Sequence, residues 1–147
     1  MKLVILLAGL LSAQAFAAFD VCQFEDTVAF QEAVDAKKIK KTKEVNFETG
    51  FSAIEKQMIK TTINSDSSHA HLNLDEAVKE FGDYFGGRTE PGTNAGEIVY
   101  YSVGSDKFAL VHYWPGDNEV GAFVKVTDQT VTLLATVSDQ WIECSSR

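Results

Sequence analysis

Apolar residues along this chain repeat with two different periods, and the change from one to the other falls near residue 96. Upstream, Phe51, Ile54, Met58, Ile59, Thr62 and Ile63 share one broad face at helical spacing, with Lys56, Gln57 and Lys60 opposite. Ser52 and Glu55 stand before that stripe at the spacing of a capping box, in which each side chain satisfies the other's free backbone amide. A helix is therefore predicted from about Ala53 to Ile63. A second stripe, Leu74, Ala77, Val78, Phe81 and Phe85, starts with the acids Asp75 and Glu76. It ends at Gly86-Gly87, where left-handed backbone costs little. The earlier segment Phe24–Ala36 carries two signals. Phe30, Ala33 and Val34 fit a helical face behind Glu25 and Asp26, whereas Val28 and Phe30 alternate like a strand; helix is the preferred reading. A short strand is placed at Glu44–Phe47, and residues 88–96 form a turn-rich connector broken at Pro91-Gly92.

From Glu97 onward the period is two. Four strands follow, over residues 97–104, 107–114, 119–127 and 130–138, with a short last one at 140–144. The turns between them, at Gly104-Ser105-Asp106, Pro115–Asn118 and Asp128-Gln129, are too short for parallel crossovers, so the strands form antiparallel hairpins. Val120, Ala122, Val124 and Val126 make one core-facing row; Val131, Leu133, Ala135 and Val137 make another. The expected fold class is α+β, with two or three N-terminal helices packed on one face of a four- to five-stranded antiparallel meander. In element order this resembles the cystatin-like and NTF2-like architectures. The cystatin Gln-x-Val-x-Gly loop and Pro-Trp hairpin are absent, and "WPGDN" has its tryptophan before the proline. The resemblance thus implies an outline of the fold and no activity.

The N-terminal residues add a compartment. Lys2, the apolar run Leu3–Leu11 and the small residues Ala15 and Ala17 form the pattern of a secretory signal peptide over residues 1–17, leaving one domain over 18–147. The apolar run falls short of the roughly 20 residues that span a bilayer, and no later segment is longer. No Asn-x-Ser/Thr glycosylation acceptor occurs, and a bacterial periplasmic or secreted protein is the economical reading. In such a compartment the only two cysteines, Cys22 and Cys144, are expected to form a disulfide that holds the two ends of the domain together.

Charge narrows the partners. Removing Lys2 with the leader takes the formal charge from -8 to -9, which disfavours nucleic acid as a partner. "KKIKKTK", Lys37–Lys43, stands out against that background. It reads as a solvated connector, or as a local patch for an acidic partner or an anionic envelope surface.

Candidate chemistry is sparse. His69 and His71 project from one side of an extended segment, and His112 supplies a third imidazole; three imidazoles plus a water make a workable catalytic zinc site. The spacing matches no established zinc signature, and an ordinary loop between helices serves "NSDSSHAHLN" equally well. No Gly-x-Ser-x-Gly elbow exists, Ser105 lies in a turn, and Gly86-Gly87 ends a helix rather than cradling a phosphate, so no catalytic residue is assigned. Aromatics gather instead on one hairpin. Tyr101, Tyr113 and Trp114, with Asp117 and Glu119 in the following turn, form the candidate binding surface for a protein or envelope partner. The expected function is a small exported binding or inhibitor-type protein without catalysis. The alternatives are a metal-dependent hydrolase using His69, His71 and His112, and a carrier of a small apolar ligand between helices and sheet.

Overall fold

A six-stranded antiparallel sheet in simple meander order organises the chain, with strands β1 (Lys40–Glu44), β2 (Glu97–Val103), β3 (Asp106–Tyr113), β4 (Val120–Thr127), β5 (Thr130–Ser138) and β6 (Trp141–Glu143). The helices are α1 (Thr27–Asp35), α2 (Ala53–Ser65) and α3 (Leu74–Gly82). This computed structural model describes residues 19–45, 50–66, 71–83, 96–115 and 118–144. The signal-peptide segment 1–17, Phe85, Gly86-Gly87 and most of the 88–96 connector lie outside them. The class is α+β, and all three helices precede strands β2–β6.

Local sequence explains each helix start. Asp26 caps α1 by accepting from the Ala29 amide. Ser52 and Glu55 close the capping box of α2, and Asn73 and Glu76 close an equivalent one at α3. At the far end of α1 the chain turns through Lys37 in left-handed backbone, φ 64°, and enters β1 directly. The lysine run is therefore part connector, over residues 37–39, and part edge strand, from Lys40 onward. Its propensity is weak, but pairing with β2, Lys40 opposite Ser102 and Glu44 opposite Val99, overrides it. Lysines on an exposed edge also discourage pairing with another chain.

Both faces of the sheet are buried, where one was expected. Ile98, Ala109, Val111, Tyr113, Ala122 and Val124 pack under Met58, Ile59 and Ile63 of α2 and Ala77 and Phe81 of α3. The alternate residues Val99, Tyr101, Phe108, Leu110 and Phe123 pack on the other side against α1 and the segment before it. Phe30 of α1 is the hub there, with ring centroids 5.0 Å from Tyr101, 4.8 Å from Phe123 and 5.6 Å from Phe24. Helices thus flank the sheet on two sides, a departure from the one-faced cystatin-like and NTF2-like outline.

A bulge in β5 corrects the second apolar row. Phe123 pairs with Ala135 while Val124 pairs with Leu133, so Leu134 is the extra residue. Val131 joins the α2–α3 side, and Ala135 and Val137 join the α1 side. At the far edge, β6 is covered. The Ile142 amide donates to the Glu25 carbonyl and the Thr27 amide to that of Gln140, and the Cys22–Cys144 disulfide fastens the same corner. Among the described residues no helix is long and apolar enough to cross a membrane.

The disulfide closes a loop of 122 residues in sequence. The Cys22→Ser/Cys144→Ser double variant is expected to lose about 2–5 kcal/mol of unfolding free energy. Denaturant titration of the two proteins checks this, and coincident midpoints would contradict it.

Candidate functional site

One row of cross-strand partners on the α1 side interrupts the apolar pattern. Glu97 of β2, His112 of β3, Gly121 of β4 and Val137 of β5 stand side by side. Imidazole Nε2 of His112 lies 2.7 Å from Oε2 of Glu97, and Nδ1 lies 2.9 Å from Oε1 of Glu119. A neutral imidazole has one N–H to donate. Two carboxylates accepting at opposite nitrogens require the doubly protonated ring. The Trp114 indole lies over this imidazolium, ring centroids 4.6 Å apart.

Room for the ring comes from Gly121. A methyl group there would stand 2.9 Å from His112 Cβ and 3.2 Å from Val137 Cβ, so any side chain would displace the imidazole. Glu119, its side chain 5% exposed, uses its second oxygen to accept the Gln140 amide at 2.8 Å. Asp139 and Gln140 both adopt positive φ, 47° and 73°, in the two-residue turn between β5 and β6, a conformation that Gly, Asn and Asp take readily and that is costly for Gln140. The Gln140 carbonyl in turn accepts the Thr27 amide. A continuous set of hydrogen bonds therefore runs from the imidazolium through Glu119 and Gln140 to the start of α1.

Electrostatics follow the geometry. Burial pushes the His112 pKa down, but its hydrogen bonds to Glu119 and Glu97 and the attraction of both carboxylates outweigh burial and leave it above 6.5. The His112 hydrogen bond lowers Glu97 against a smaller effect of burial, helped by the charges of His112 and Lys41. For Glu119 burial acts upward, while hydrogen bonds from His112 and Gln140 and the imidazolium charge bring the net shift below 4.5.

Glu97 and His112 form part of the wall of a groove of about 410 Å³ between α1 and strands β2–β3. Tyr101 lines it from the sheet, and Glu32 and Asp35 line it from α1. Burial first, then the charges of Glu97 and Glu44, pushes the Tyr101 phenol up to about 12 and keeps it neutral.

The hairpin aromatics do not share an exposed face. Tyr101 is buried on the α1 side, whereas Tyr113 is buried on the other, edge-on to Phe81 at 5.7 Å. Trp114 is half-buried on His112, Glu119 is turned inward, and Asp117 lies outside the described residues. His69 also lies outside them. His71 is an exposed turn residue at φ 76° before α3, where the Asn64 side chain brackets the backbone of Leu72 at 3.0 and 3.1 Å. It belongs to the α2–α3 side and His112 to the α1 side. Among the described residues no group of three or more His, Cys, Asp or Glu side chains is placed to share a metal ion.

Sequence reasoning singles out neither Glu97 nor Gly121, although a signal for Glu97 was present. The turn at Gly104-Ser105 pairs Val103 with Asp106, and counting back along both strands puts Glu97 opposite His112. The chain matches no family model, and no curated protein or solved structure resembles it at a significant level. The site is therefore read from its own chemistry.

The signs of the shifts set a pH window for stability. His112, with its pKa raised, contributes fully below 6.5 and loses that contribution as pH rises through its folded value; Glu97 and Glu119, lowered, contribute above 4.5 and lose it as pH falls. His112→Leu is expected to cost about 2–4 kcal/mol near pH 6, less than a fully buried pair because Glu97 is half exposed. Denaturant titrations from pH 3 to 9 check this: the gap from wild type should be widest between about 4.5 and 6.5 and narrow on both sides. A pH-independent gap would contradict the assignment.

Proposed function

We propose that this chain is a small exported binding protein of inhibitor or adaptor type that engages its partner through the groove between α1 and strands β2–β3. The N-terminal pattern of Lys2, Leu3–Leu11 and Ala15-x-Ala17, together with the Cys22–Cys144 disulfide, supports a periplasmic or extracellular setting. The observation that carries the binding reading is the Glu97–His112 pair, backed by Glu119, in the wall of an open groove. Oriented charges on a rigid sheet make a specific recognition surface.

Binding fits this array better than acid–base catalysis does. Both nitrogens of His112 are committed to carboxylates, so no lone pair is presented to a substrate. The hydrolase alternative asks His71 and His112 to converge, and they belong to opposite sides of the sheet. The apolar-carrier alternative asks for space that Phe30, Phe81, Tyr113 and Phe123 fill in the two cores.

Val28 lines the groove and is 51% exposed, so Val28→Trp fills the groove without entering the core. Leu133→Trp, at an exposed site on the other side of the sheet, is the control. In quantitative capture from envelope extract, Val28→Trp is expected to lose at least about tenfold of what wild type and Leu133→Trp retain, a change of about 1.4 kcal/mol. Equal capture by all three proteins would overturn the assignment.

A further inference from the structure

His112 holds two carboxylates with one ring, and the two are not equivalent. Glu119 is 5% exposed and uses both oxygens, accepting from Nδ1 of His112 at 2.9 Å and from the Gln140 amide at 2.8 Å. Glu97, the first residue of β2, is 55% exposed and gives only Oε2 to Nε2, at 2.7 Å. The doubly protonated ring serves both. A neutral ring keeps one N–H, and the carboxylate at the bare nitrogen then sets a negative oxygen against a lone pair.

Burial decides which carboxylate keeps the proton. Moving Glu119 would strand a buried charge and take the acceptor from the Gln140 amide, in the turn that holds Thr27 of α1. Glu97 has water at hand, so leaving the ring costs it little. The surroundings favour the same choice. From α1, Glu32 and Asp35 face the groove with like charge, and from β1, Lys41 attracts Glu97 although it is ion-paired with Glu44. Tyr101 of β2, its phenol pushed up to about 12, stays neutral, and the cross-strand neighbours Gly121 and Val137 carry no charge. Glu97 is held below 4.5, so it remains ionised where His112, raised above 6.5, gives up its proton. The last ring proton therefore stays on Nδ1, toward Glu119.

We infer that Glu97 is a proton-controlled gate in the groove wall, docked on Nε2 while His112 carries both protons and swung into solvent once Nε2 loses its own. Glu119, Gln140 and α1 keep their places through the change, so one side chain moves and the fold does not. The wall exchanges a closed ion pair for a free carboxylate and a hydrated neutral imidazole. The motion stands on the array alone; its effect on a partner rests on the groove reading above.

NMR of the disulfide-bonded protein from about pH 5 to 9 tests the gate. Three-bond couplings of the Glu97 side chain, and the NOE from its γ-protons to the His112 ring, report whether it is docked. The couplings are expected to pass from single-rotamer to averaged values, and the NOE to fade, at the midpoint read from the imidazole ¹⁵N signals. Hydrogen-exchange protection of the Gln140 and Thr27 amides should be unchanged there. In Glu97→Gln the side-chain amide offers its oxygen to the protonated ring and its N–H to the neutral one, so this side chain should stay docked at every pH. A Glu97 side chain that stays docked through the His112 midpoint would overturn the inference. So would a Glu97→Gln side chain that leaves at that midpoint, or protection lost at Gln140 and Thr27, which would make Glu119 the moving partner. Envelope capture, compared below and above the midpoint, is expected to fall in wild type and to stay level in Glu97→Gln. Level wild-type capture beside a moving Glu97 would leave the gate standing and count against the groove as the binding surface.

Discussion

A sheet that is apolar on both faces has to be covered twice, and most features of this protein follow from that constraint. Burial of a large aliphatic or aromatic side chain is worth about 1.5–3 kcal/mol, so strands β2–β4, with apolar residues at successive positions, cannot leave one side in water. Helices α2 and α3 cover one side, while α1 covers the other through Phe30. The chain before α1 must then cross the end of the sheet, where it pairs with β6 and is fastened by Cys22–Cys144. The bulge at Leu134 belongs to the same constraint, because it lets one strand serve both cores along its length.

Covering the second face also creates the site. A polar residue in a covered row must be paired, and His112 is 12% exposed. Glu97 meets it from the opposite strand, Glu119 from the turn, and Gly121 leaves the space. Once formed, the array holds Gln140 in its left-handed turn, and Gln140 holds the first residue of α1. The groove therefore has rigid walls, since the sheet and the helix that bound it are tied through one set of hydrogen bonds. A buried ion pair adds little net stability compared with apolar packing of the same volume, whereas removing one partner leaves the other charge buried and unpaired.

The sequence showed much of the architecture because the relevant physics is local. The capping box Ser52–Glu55, the stripe through Met58 and Ile63, and period-two strands separated by short polar turns each appear within a dozen residues. Two things did not show. β1 is written in lysines, since an edge strand with both faces in solvent needs no apolar alternation and forms only because β2 offers a partner. Tyr101 and Tyr113 have the same parity problem on a larger scale: both are aromatic and odd-numbered, but they lie on strands whose register puts them on opposite sides. The site was legible in pieces. His112 and Glu119 were singled out separately, for metal and for a docking tip, and only the register of β2 against β3 brings Glu97 to the same ring.

The central claim is that His112 is a fixed imidazolium between two carboxylates rather than a neutral core histidine or a metal ligand. Imidazole ¹⁵N NMR of the wild-type protein across pH 4 to 9 measures that directly, since it reports the protonation of each ring nitrogen. The account expects both nitrogens of His112 to carry protons at pH 6, with a titration midpoint above 6.5 that falls when Glu119→Gln is introduced. A single neutral tautomer at pH 6, with a midpoint below 6.5, would contradict it.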